Sequence, residues 1–322
     1  MSILVTGGAG FIGSHYVRML LDRTDSPVVI LDNFNDYYDP TLKRDNVSQF
    51  DREPRVTLVE GDFCDVESNA KILQEHAVER IVHLGAYAGV RISVAQPELY
   101  QRVNVGGTLA LLEAVRRHPV KRFLLISSST VYGRGADIPF KEDSVLGIPA
   151  SPYGATKRAA ELMGLTYHQL HDVPVVCLRP FSVYGPRLRP DLALTIFVDA
   201  IENGKTFPLF GDGSIRRDFT HVSDICAGLF SAMLTDGIDG EVFNLGHSEP
   251  IEMRKIIDMI EESLGKKAQI DRRPERPEDL PVTFANLEKA NRLLSYNPKV
   301  PIKDGIQEFC DWYREWHKNT GN

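Results

Sequence analysis

The chain has 322 residues, of which 43% are hydrophobic and 25% are charged, a composition typical of globular enzymes rather than of disordered or membrane proteins. Its formal net charge of -7 argues against a nucleic-acid partner, because such a partner requires a basic face. No apolar run approaches the roughly 18 residues that would span a bilayer. Since a strand-like segment, Ile3–Thr6, begins almost at the first residue, we expect no signal peptide and a cytoplasmic protein.

Cysteine and histidine usage points away from disulfide and metal chemistry. The four cysteines lie far apart and have no C-x-x-C spacing; they are Cys64, Cys177, Cys226 and Cys310. We interpret them as reduced residues packed within the fold. The nine histidines offer no set of ligands with the spacing of a metal site, so no metal is predicted.

The N-terminal segment has the pattern of a dinucleotide-binding unit. A short apolar strand leads into TGGAGFIG at residues 6–13, and a helical pattern follows to Leu21. The glycines allow a tight turn, a close approach of backbone to a pyrophosphate, and close packing of helix on strand. A second strand ends at Asp32, where a carboxylate can accept both ribose hydroxyls of NAD and would repel the 2′-phosphate of NADP.

Strands and helices then alternate up to residue 178. Strands are predicted at residues 56–59, 80–84, 122–126 and 173–178, and helices from residue 65 and at residues 97–117 and 153–171. This alternation predicts an α/β fold with a Rossmann-type doubly wound parallel sheet covered on both faces. In such sheets, ligands bind at the carboxyl ends of the strands.

Beyond residue 178 the texture changes, and we predict a second, smaller, mixed α/β domain. A Pro- and Arg-rich segment covers residues 179–191. It is followed by a helix at 192–203, short strands around a turn at 208–213 and 215–221, a helix at 224–234, a strand at 241–245, a helix at 251–265, a charged loop at 272–279 and a helix at 304–317. The first domain is predicted to span residues 1–180, with 222–245 returning to it, and the second to span 181–221 and 246–322.

The segment SPYGATK at residues 151–157 carries the strongest candidate for catalysis. If it is helical, Tyr153 and Lys157 lie one turn apart on the same face. A lysine ammonium beside a tyrosine favours the phenolate and lowers its pKa, which would make Tyr153 a general base toward an alcohol hydroxyl. The spacing Y-x-x-x-K alone also occurs by chance on surface helices, so its interpretation depends on the other motifs.

Taken together, TGGAGFIG, Asp32, Asn104, the serine-rich strand end at 127–129 and Y-x-x-x-K resemble the extended short-chain dehydrogenase/reductase family of nucleotide-sugar enzymes. Three stretches are similar to those of UDP-glucuronate 4-epimerases: DNFNDYYD at 32–39, AGVRIS at 88–93 and RPD at 189–191. The resemblance covers essentially the whole chain. It implies NAD as cofactor, a homodimer, and 4-epimerisation of a UDP-sugar, UDP-glucuronate to UDP-galacturonate, through a transient 4-keto sugar.

The resemblance also implies roles for individual residues. The catalytic residues would be Ser128, Tyr153 and Lys157. The NAD site would contain Gly7, Gly10, Phe11, Ile12, Asp32, Asn33, Asp62, Phe63, Leu84, Ala86, Tyr153 and Lys157. The sugar nucleotide would contact Arg91, Ser128, Ser129, Thr130, Tyr153, Ser182, Arg189, Arg217 and Arg276. Arg217 and Arg276 match the positions that hold the UDP pyrophosphate in the family. A guanidinium fork suits phosphate.

Several alternatives remain open at this stage. The 4,6-dehydratases of the family carry Asp-Glu after the catalytic hydroxyl, whereas this chain has Ser129 and Thr130, so elimination lacks its acid and base. Arg189 is our candidate for holding the sugar carboxylate, ahead of Arg187 and Arg91, and the alternative for Arg189 is a structural ion pair with Asp191. The other readings are a UDP-glucose or UDP-N-acetylglucosamine 4-epimerase, a dehydratase or decarboxylase, and a non-catalytic NAD-binding protein.

The predicted helices at 97–117 and 153–171 could pair with their copies in a four-helix bundle, as the resemblance implies for a dimer. An apolar face on the second helix suits that arrangement, and it consists of Ala159, Ala160, Leu162, Met163, Tyr167 and Leu170. Packing within one subunit would explain this face almost as well.

Overall fold

The computed structural model describes residues 2–275 and 280–320. Its strands are β1 Ser2–Thr6, β2 Val28–Asp32, β3 Val56–Glu60, β4 Val78–His83, β5 Arg122–Ile126, β6 Val175–Pro180, β7 Ser182–Tyr184, β8 Thr206–Phe210, β9 Arg216–His221, β10 Val242–Leu245, β11 Pro250–Glu252, β12 Gln269–Arg273 and β13 Val282–Thr283. The described helices are α1 Phe11–Arg23, α2 Pro40–Ser48, α3 Val66–Glu75, α4 Val90–Ala95, α5 Pro97–Tyr100, α6 Thr108–Arg117, α7 Pro152–His171, α8 Ala193–Glu202, α9 Val222–Leu234, α10 Met253–Leu264, α11 Glu288–Leu294 and α12 Ile302–Thr320.

A seven-stranded parallel sheet in the order β10-β6-β5-β4-β1-β2-β3 forms the centre of the molecule. Its strands are nearly continuous apolar runs, because helices cover both faces. Within β1, Ile3 and Val5 pack into one buried cluster while Leu4 packs into the other. The predicted Rossmann-type doubly wound sheet is therefore confirmed. The strand order reverses between β1 and β4, which is where such sheets bind ligands.

The remaining strands form smaller groups outside this sheet. Strand β9 pairs with β7, β11 and β13, while β8 pairs in parallel with β12. The two short strands predicted around a turn at 208–221 are thus paired with different strands rather than with each other. Their partners lie far away in the sequence. Part of the predicted charged loop at 272–279 is also strand, since Arg272 and Arg273 end β12.

The helix predicted at 97–117 is interrupted: α5 and α6 flank a π-helical segment, Gln101–Gly107. A Cβ on Gly107 would lie 2.4 Å from the Phe63 ring, so this segment approaches the loop after β3 more closely than a side chain would allow. On the C-terminal helix α12, Phe309 and Tyr313 are buried. Among the described residues, no helix combines the length and apolarity needed to cross a membrane.

Candidate functional site

One cavity of about 450 Å³ lies at the carboxyl ends of the parallel strands. It is lined by most of the residues predicted for the site: Gly7, Gly10, Phe11, Ile12, Asp32, Asn33, Phe63, Leu84, Ala86, Ser128, Ser129, Thr130, Tyr153, Lys157, Ser182 and Arg189. These residues come from strand ends, loops and helix starts that are distant in sequence. The parallel sheet brings them together because its strands all end at the same edge.

The glycine turn after β1 forms one wall of the cavity. Gly7 has φ of 68°, and a Cβ at this position would lie 2.7 Å from the Gly85 nitrogen. A Cβ on Gly13 would lie 2.3 Å from the Gly7 carbonyl oxygen. A Cβ on Gly10 would contact only that same oxygen, at 3.1 Å. The turn therefore exposes backbone at the N-terminus of α1, which fits a pyrophosphate group.

Asp32 ends β2 at the rim of the same wall and is 7% exposed. Its carboxylate accepts hydrogen bonds from the amides of Ala9 at 3.2 Å and Phe34 at 3.0 Å. Burial raises its pKa, and the Lys43 ammonium, the two amides and the Arg44 guanidinium oppose that rise. A carboxylate offers about four acceptor positions, so Asp32 has capacity left for the two hydroxyls of an unphosphorylated ribose. Together with the bare glycine turn, this geometry fits NAD.

The candidate catalytic residues lie on the first two turns of α7. Ser151 caps the helix by accepting a hydrogen bond from the Gly154 amide at 3.2 Å, and Pro152 occupies the first helical position. Both residue types are favoured at these positions. They fix the start of the helix so that Tyr153 and Lys157 line the cavity side by side.

The sequence prediction that Lys157 lowers the pKa of Tyr153 is wrong for this geometry. Burial raises the pKa of Tyr153, while a hydrogen bond with the Ser128 hydroxyl and the Arg189 charge act in the opposite direction. The Lys157 ammonium instead donates to the Ile126 carbonyl at 2.7 Å. Burial lowers the pKa of Lys157 to about 8. Lys157 therefore links α7 to the end of β5.

The serine-rich strand end is shaped by its own hydroxyls. The Ser128 Oγ accepts hydrogen bonds from the Thr130 amide at 3.2 Å and from the Thr130 hydroxyl at 2.9 Å. This arrangement caps the 3-10 turn Ser129–Tyr132. A hydroxyl can donate and accept at once, so Ser128 is able to share a substrate oxygen with Tyr153.

Asn104 ties the catalytic helix to the opposite wall. Its side-chain oxygen accepts from the Tyr87 amide at 2.8 Å, and its nitrogen donates to the Tyr87 carbonyl at 3.0 Å and to the Thr156 hydroxyl at 3.1 Å. Thr156 in turn donates to the Tyr153 carbonyl at 2.9 Å. Asn104 thus fixes the position of the loop after β4 relative to the first turns of α7.

Arg189 lines the cavity, but its guanidinium has protein partners. It makes a bidentate ion pair with Asp191, at 3.0 and 2.8 Å, and donates to the Ala88 carbonyl at 3.1 Å. It also stacks over the Tyr37 ring at 5.2 Å. In this structure Arg189 therefore forms the ion pair with Asp191, which was the alternative to binding the sugar carboxylate.

Three predicted residues do not line this cavity. Asp62 accepts a hydrogen bond from the Cys64 amide at 2.9 Å, and Arg91 lies 6.0 Å from the centre of the Phe210 ring. Arg217 donates to the Leu280 carbonyl at 2.6 Å. A fourth predicted residue, Arg276, lies outside the described residues.

Sequence reasoning missed several residues of the cavity wall, which are Tyr37, Tyr38, Lys43 and Tyr87. Three of these lie between β2 and the end of α2, a helix that was not predicted. A signal was present, because Asp39 caps α2 and Pro40 follows as its first residue, and Asp-Pro at these positions is typical of a helix start.

Comparisons with known proteins agree with this site. The family model described as GDP-mannose 4,6 dehydratase matches residues 4–309. A UDP-glucuronate 4-epimerase of Thermodesulfobacterium geofontis is 37% identical over 313 residues, which cover 97% of this chain and 96% of that protein.

Two solved structures cover essentially the same length. The crystal structure of UDP-glucuronic acid 4-epimerase from Bacillus cereus, in complex with UDP-glucuronic acid and NAD, matches with a TM-score of 0.93 and 37% identity, covering 98% of this chain and 100% of that one. DesIV, a dTDP-glucose 4,6-dehydratase from Streptomyces venezuelae with NAD bound, has a TM-score of 0.91 and 32% identity, with 99% and 98% coverage. The predicted kinship with nucleotide-sugar enzymes is confirmed.

Proposed function

The chain belongs to the GDP-mannose 4,6 dehydratase family, and we propose that within it the protein is an NAD-dependent UDP-sugar 4-epimerase that interconverts UDP-glucuronate and UDP-galacturonate. One observation carries the choice of epimerisation over elimination. Among the described residues that line the cavity, Asp32 is the only acidic one. Asp32 lies at the rim of the wall formed by the glycine turn, whereas Tyr153 lies on α7. The sugar beside Tyr153 therefore has no carboxyl group on the described cavity wall that could act as acid or base at C5 or C6.

NAD, when bound, would supply the acceptor for the hydride of the sugar C4 carbon and the source of the hydride that returns to the other face. Tyr153 takes the proton of the C4 hydroxyl as a phenolate and later returns it. Burial raises the pKa of Tyr153, and the Ser128 hydroxyl and the Arg189 charge favour the phenolate against that effect. Ser128 holds the same oxygen and stabilises the phenolate through its hydrogen bond. Lys157 keeps Tyr153 in place by linking α7 to the Ile126 carbonyl.

The carboxylate of the sugar requires a separate restraint. Oxidation at C4 places a ketone β to this carboxylate, and such acids lose CO₂ readily. We propose that Arg189 exchanges its partner Asp191 for the sugar carboxylate and holds it out of alignment with the ketone. Support comes from its position on the cavity wall and from its charge.

The exchange can be tested by comparing two substrates. Arg189→Ala should lower turnover of UDP-glucuronate far more than turnover of UDP-glucose and should increase the share of decarboxylated product. Asp191→Asn is the matched variant, since it weakens the ion pair but keeps the arginine. Equal losses on both substrates for Arg189→Ala would refute the role.

The proposed activity is tested directly by incubating the purified protein with UDP-glucuronate, without added NAD, and identifying the product by NMR. UDP-galacturonate is the expected product, and Tyr153→Phe is the inactive control. Conversion of UDP-glucose or UDP-N-acetylglucosamine alone would favour an epimerase with a neutral C6 pocket. Loss of water or CO₂, seen by mass spectrometry, would indicate a dehydratase or decarboxylase, and no turnover would indicate a non-catalytic protein.

We also propose a homodimer that buries α7 against its copy. Support comes from three side chains exposed along this helix, Leu162 at 57%, Met163 at 37% and Leu170 at 69%, since contiguous exposed apolar surface marks interaction sites. Light scattering after gel filtration should give the mass of a dimer. Leu162→Glu should yield monomers, whereas Leu234→Glu, which changes a leucine 51% exposed on α9, should not. A monomeric wild-type protein would contradict the proposal.

Two further proposals follow from the fold. We assign residues 1–180 and 222–245 to an NAD-binding domain, and 181–221 and 246–322 to a nucleotide-sugar-binding domain. Support comes from β10, which pairs with β6 after the intervening segment. The four cysteines are all free thiols, which supports a reducing compartment such as the cytoplasm.

A further inference from the structure

Two cationic side chains lie next to the Asp32 carboxylate, and each is hydrogen-bonded to another residue of the protein. Lys43, 5% exposed, donates to the backbone and side-chain oxygens of Asn35 at 2.9 and 3.0 Å. Arg44 makes two hydrogen bonds to Glu60, both at 2.9 Å. Both charges act on Asp32, because each opposes the rise in its pKa.

Arg44 is held in place from two sides. Its guanidinium carbon lies 3.6 Å from the centre of the Phe34 ring, and its other contact is the Glu60 carboxylate. Phe34 is fixed in turn, since its backbone has φ of 47° and its amide donates to Asp32. Glu60 stands beside Asp32, because the two residues are paired in the register of β2 and β3.

The position of Arg44 matters for the choice of dinucleotide. An acidic residue at the end of β2 selects the free ribose hydroxyls of NAD, whereas an arginine nearby can bind the 2′-phosphate of NADP. This chain has both, and the Arg44 guanidinium is stacked on the ring of Phe34, the residue whose amide donates to Asp32. Planar stacking on an aromatic ring and bidentate binding of phosphate are both ordinary roles of arginine.

We propose that Glu60 is a specificity-determining residue that excludes NADP by sequestering Arg44. Asp32 repels the 2′-phosphate directly, and Glu60 holds the Arg44 guanidinium, which would otherwise compensate for that repulsion. Both carboxylates therefore disfavour NADP: Asp32 repels its 2′-phosphate, and Glu60 keeps Arg44 in an ion pair. This inference rests on the proposed use of NAD.

A double-mutant cycle measured by dinucleotide binding tests the idea. Dinucleotide-free protein is titrated calorimetrically with NAD and with NADP, using Asp32→Asn, Glu60→Gln and the double variant. We expect Glu60→Gln to tighten NADP binding by about tenfold in the Asp32→Asn background, the range of one charge-assisted hydrogen bond, and by less in the wild-type background. Raising the salt concentration should reduce this gain, since Arg44 and Glu60 are 49% and 56% exposed.

Two controls identify the arginine as the cause. Adding Arg44→Gln to the double variant should abolish the gain, while Lys43 remains unchanged in every variant. Glu75→Gln removes the same charge from an exposed pair with Lys71 and should leave both affinities as they are. Glu60→Ala repeats the test without a side-chain amide.

Each remaining outcome has a distinct meaning. If NAD binds normally but the double variant gains no NADP affinity, or keeps the gain without Arg44, the inference about Glu60 is refuted while the proposed function stands. If the wild-type protein binds neither dinucleotide, the use of NAD is refuted, and the role of Glu60 with it.

Discussion

The buried ammonium of Lys157 should make the stability of this protein rise with pH in the alkaline range. Lys157 titrates near its ordinary value of 10.5 in the unfolded chain, whereas burial lowers its pKa to about 8 in the folded protein. Below pH 8 it is charged in both states, and the folded state carries the full cost of burying the charge. Between pH 8 and 10.5 the unfolded chain binds more protons than the folded chain, so unfolding becomes less favourable as pH rises.

The magnitude follows from the separation of the two pKa values. One pKa unit corresponds to about 1.4 kcal/mol, so the complete effect is about 3 kcal/mol. Most of this, about 2.5 kcal/mol, should develop between pH 7 and pH 10. Lys157→Met removes the titrating group and keeps the shape of the side chain. The difference in unfolding free energy between wild type and variant should therefore shift by that amount in favour of the wild type.

The assay is urea unfolding of dinucleotide-free protein at a series of pH values, with the free energy obtained by linear extrapolation. Using the difference between two proteins cancels the other groups that titrate in the same range. Lys71→Met, which deletes an ammonium on a side chain 71% exposed, is the matched control. A difference between wild type and Lys157→Met that stays constant from pH 7 to pH 10 would refute the reasoning.

Three further predictions concern catalysis, the glycine turn and a buried ion pair. Tyr153→Phe should lower kcat by about 10²- to 10⁴-fold with dinucleotide binding retained, as measured by steady-state kinetics and calorimetry; a smaller loss would remove Tyr153 from proton transfer. Gly13→Ala should abolish dinucleotide binding and lower the melting temperature, because its Cβ would lie 2.3 Å from a carbonyl oxygen; unchanged calorimetric binding would contradict this. Arg179→Met should cost about 3–5 kcal/mol in urea unfolding, because it leaves the buried Glu161 carboxylate unpaired, and much of that loss should return in the double variant with Glu161→Leu.

The dinucleotide half of the site was predictable because its signals are local. The glycine turn, Asp32 and the Tyr153 helix each combine a strand end or helix start with the residue that the chemistry requires. Parallel strands then bring these ends to one edge without further information. Ser128 and Lys157 line the cavity for the same reason.

What sequence reasoning missed depends on contacts between distant segments. The protonation behaviour of Tyr153 is set by burial and by Ser128 and Arg189, none of which is visible in the spacing to Lys157. Asn104, in the π-helical segment, likewise forms hydrogen bonds with Tyr87 and Thr156, which lie in other segments of the chain. The periodicity of residues within one helix does not predict contacts with such distant segments.

Strand β10 has a consequence for biosynthesis. It occupies the outer edge of the central sheet beside β6, yet it follows β6 by more than sixty residues of chain, since β6 ends at Pro180 and β10 begins at Val242. On the ribosome, β6 therefore emerges well before the strand that covers it. An uncovered apolar strand can pair with other chains, so the edge of β6 is open to such pairing while this interval is translated.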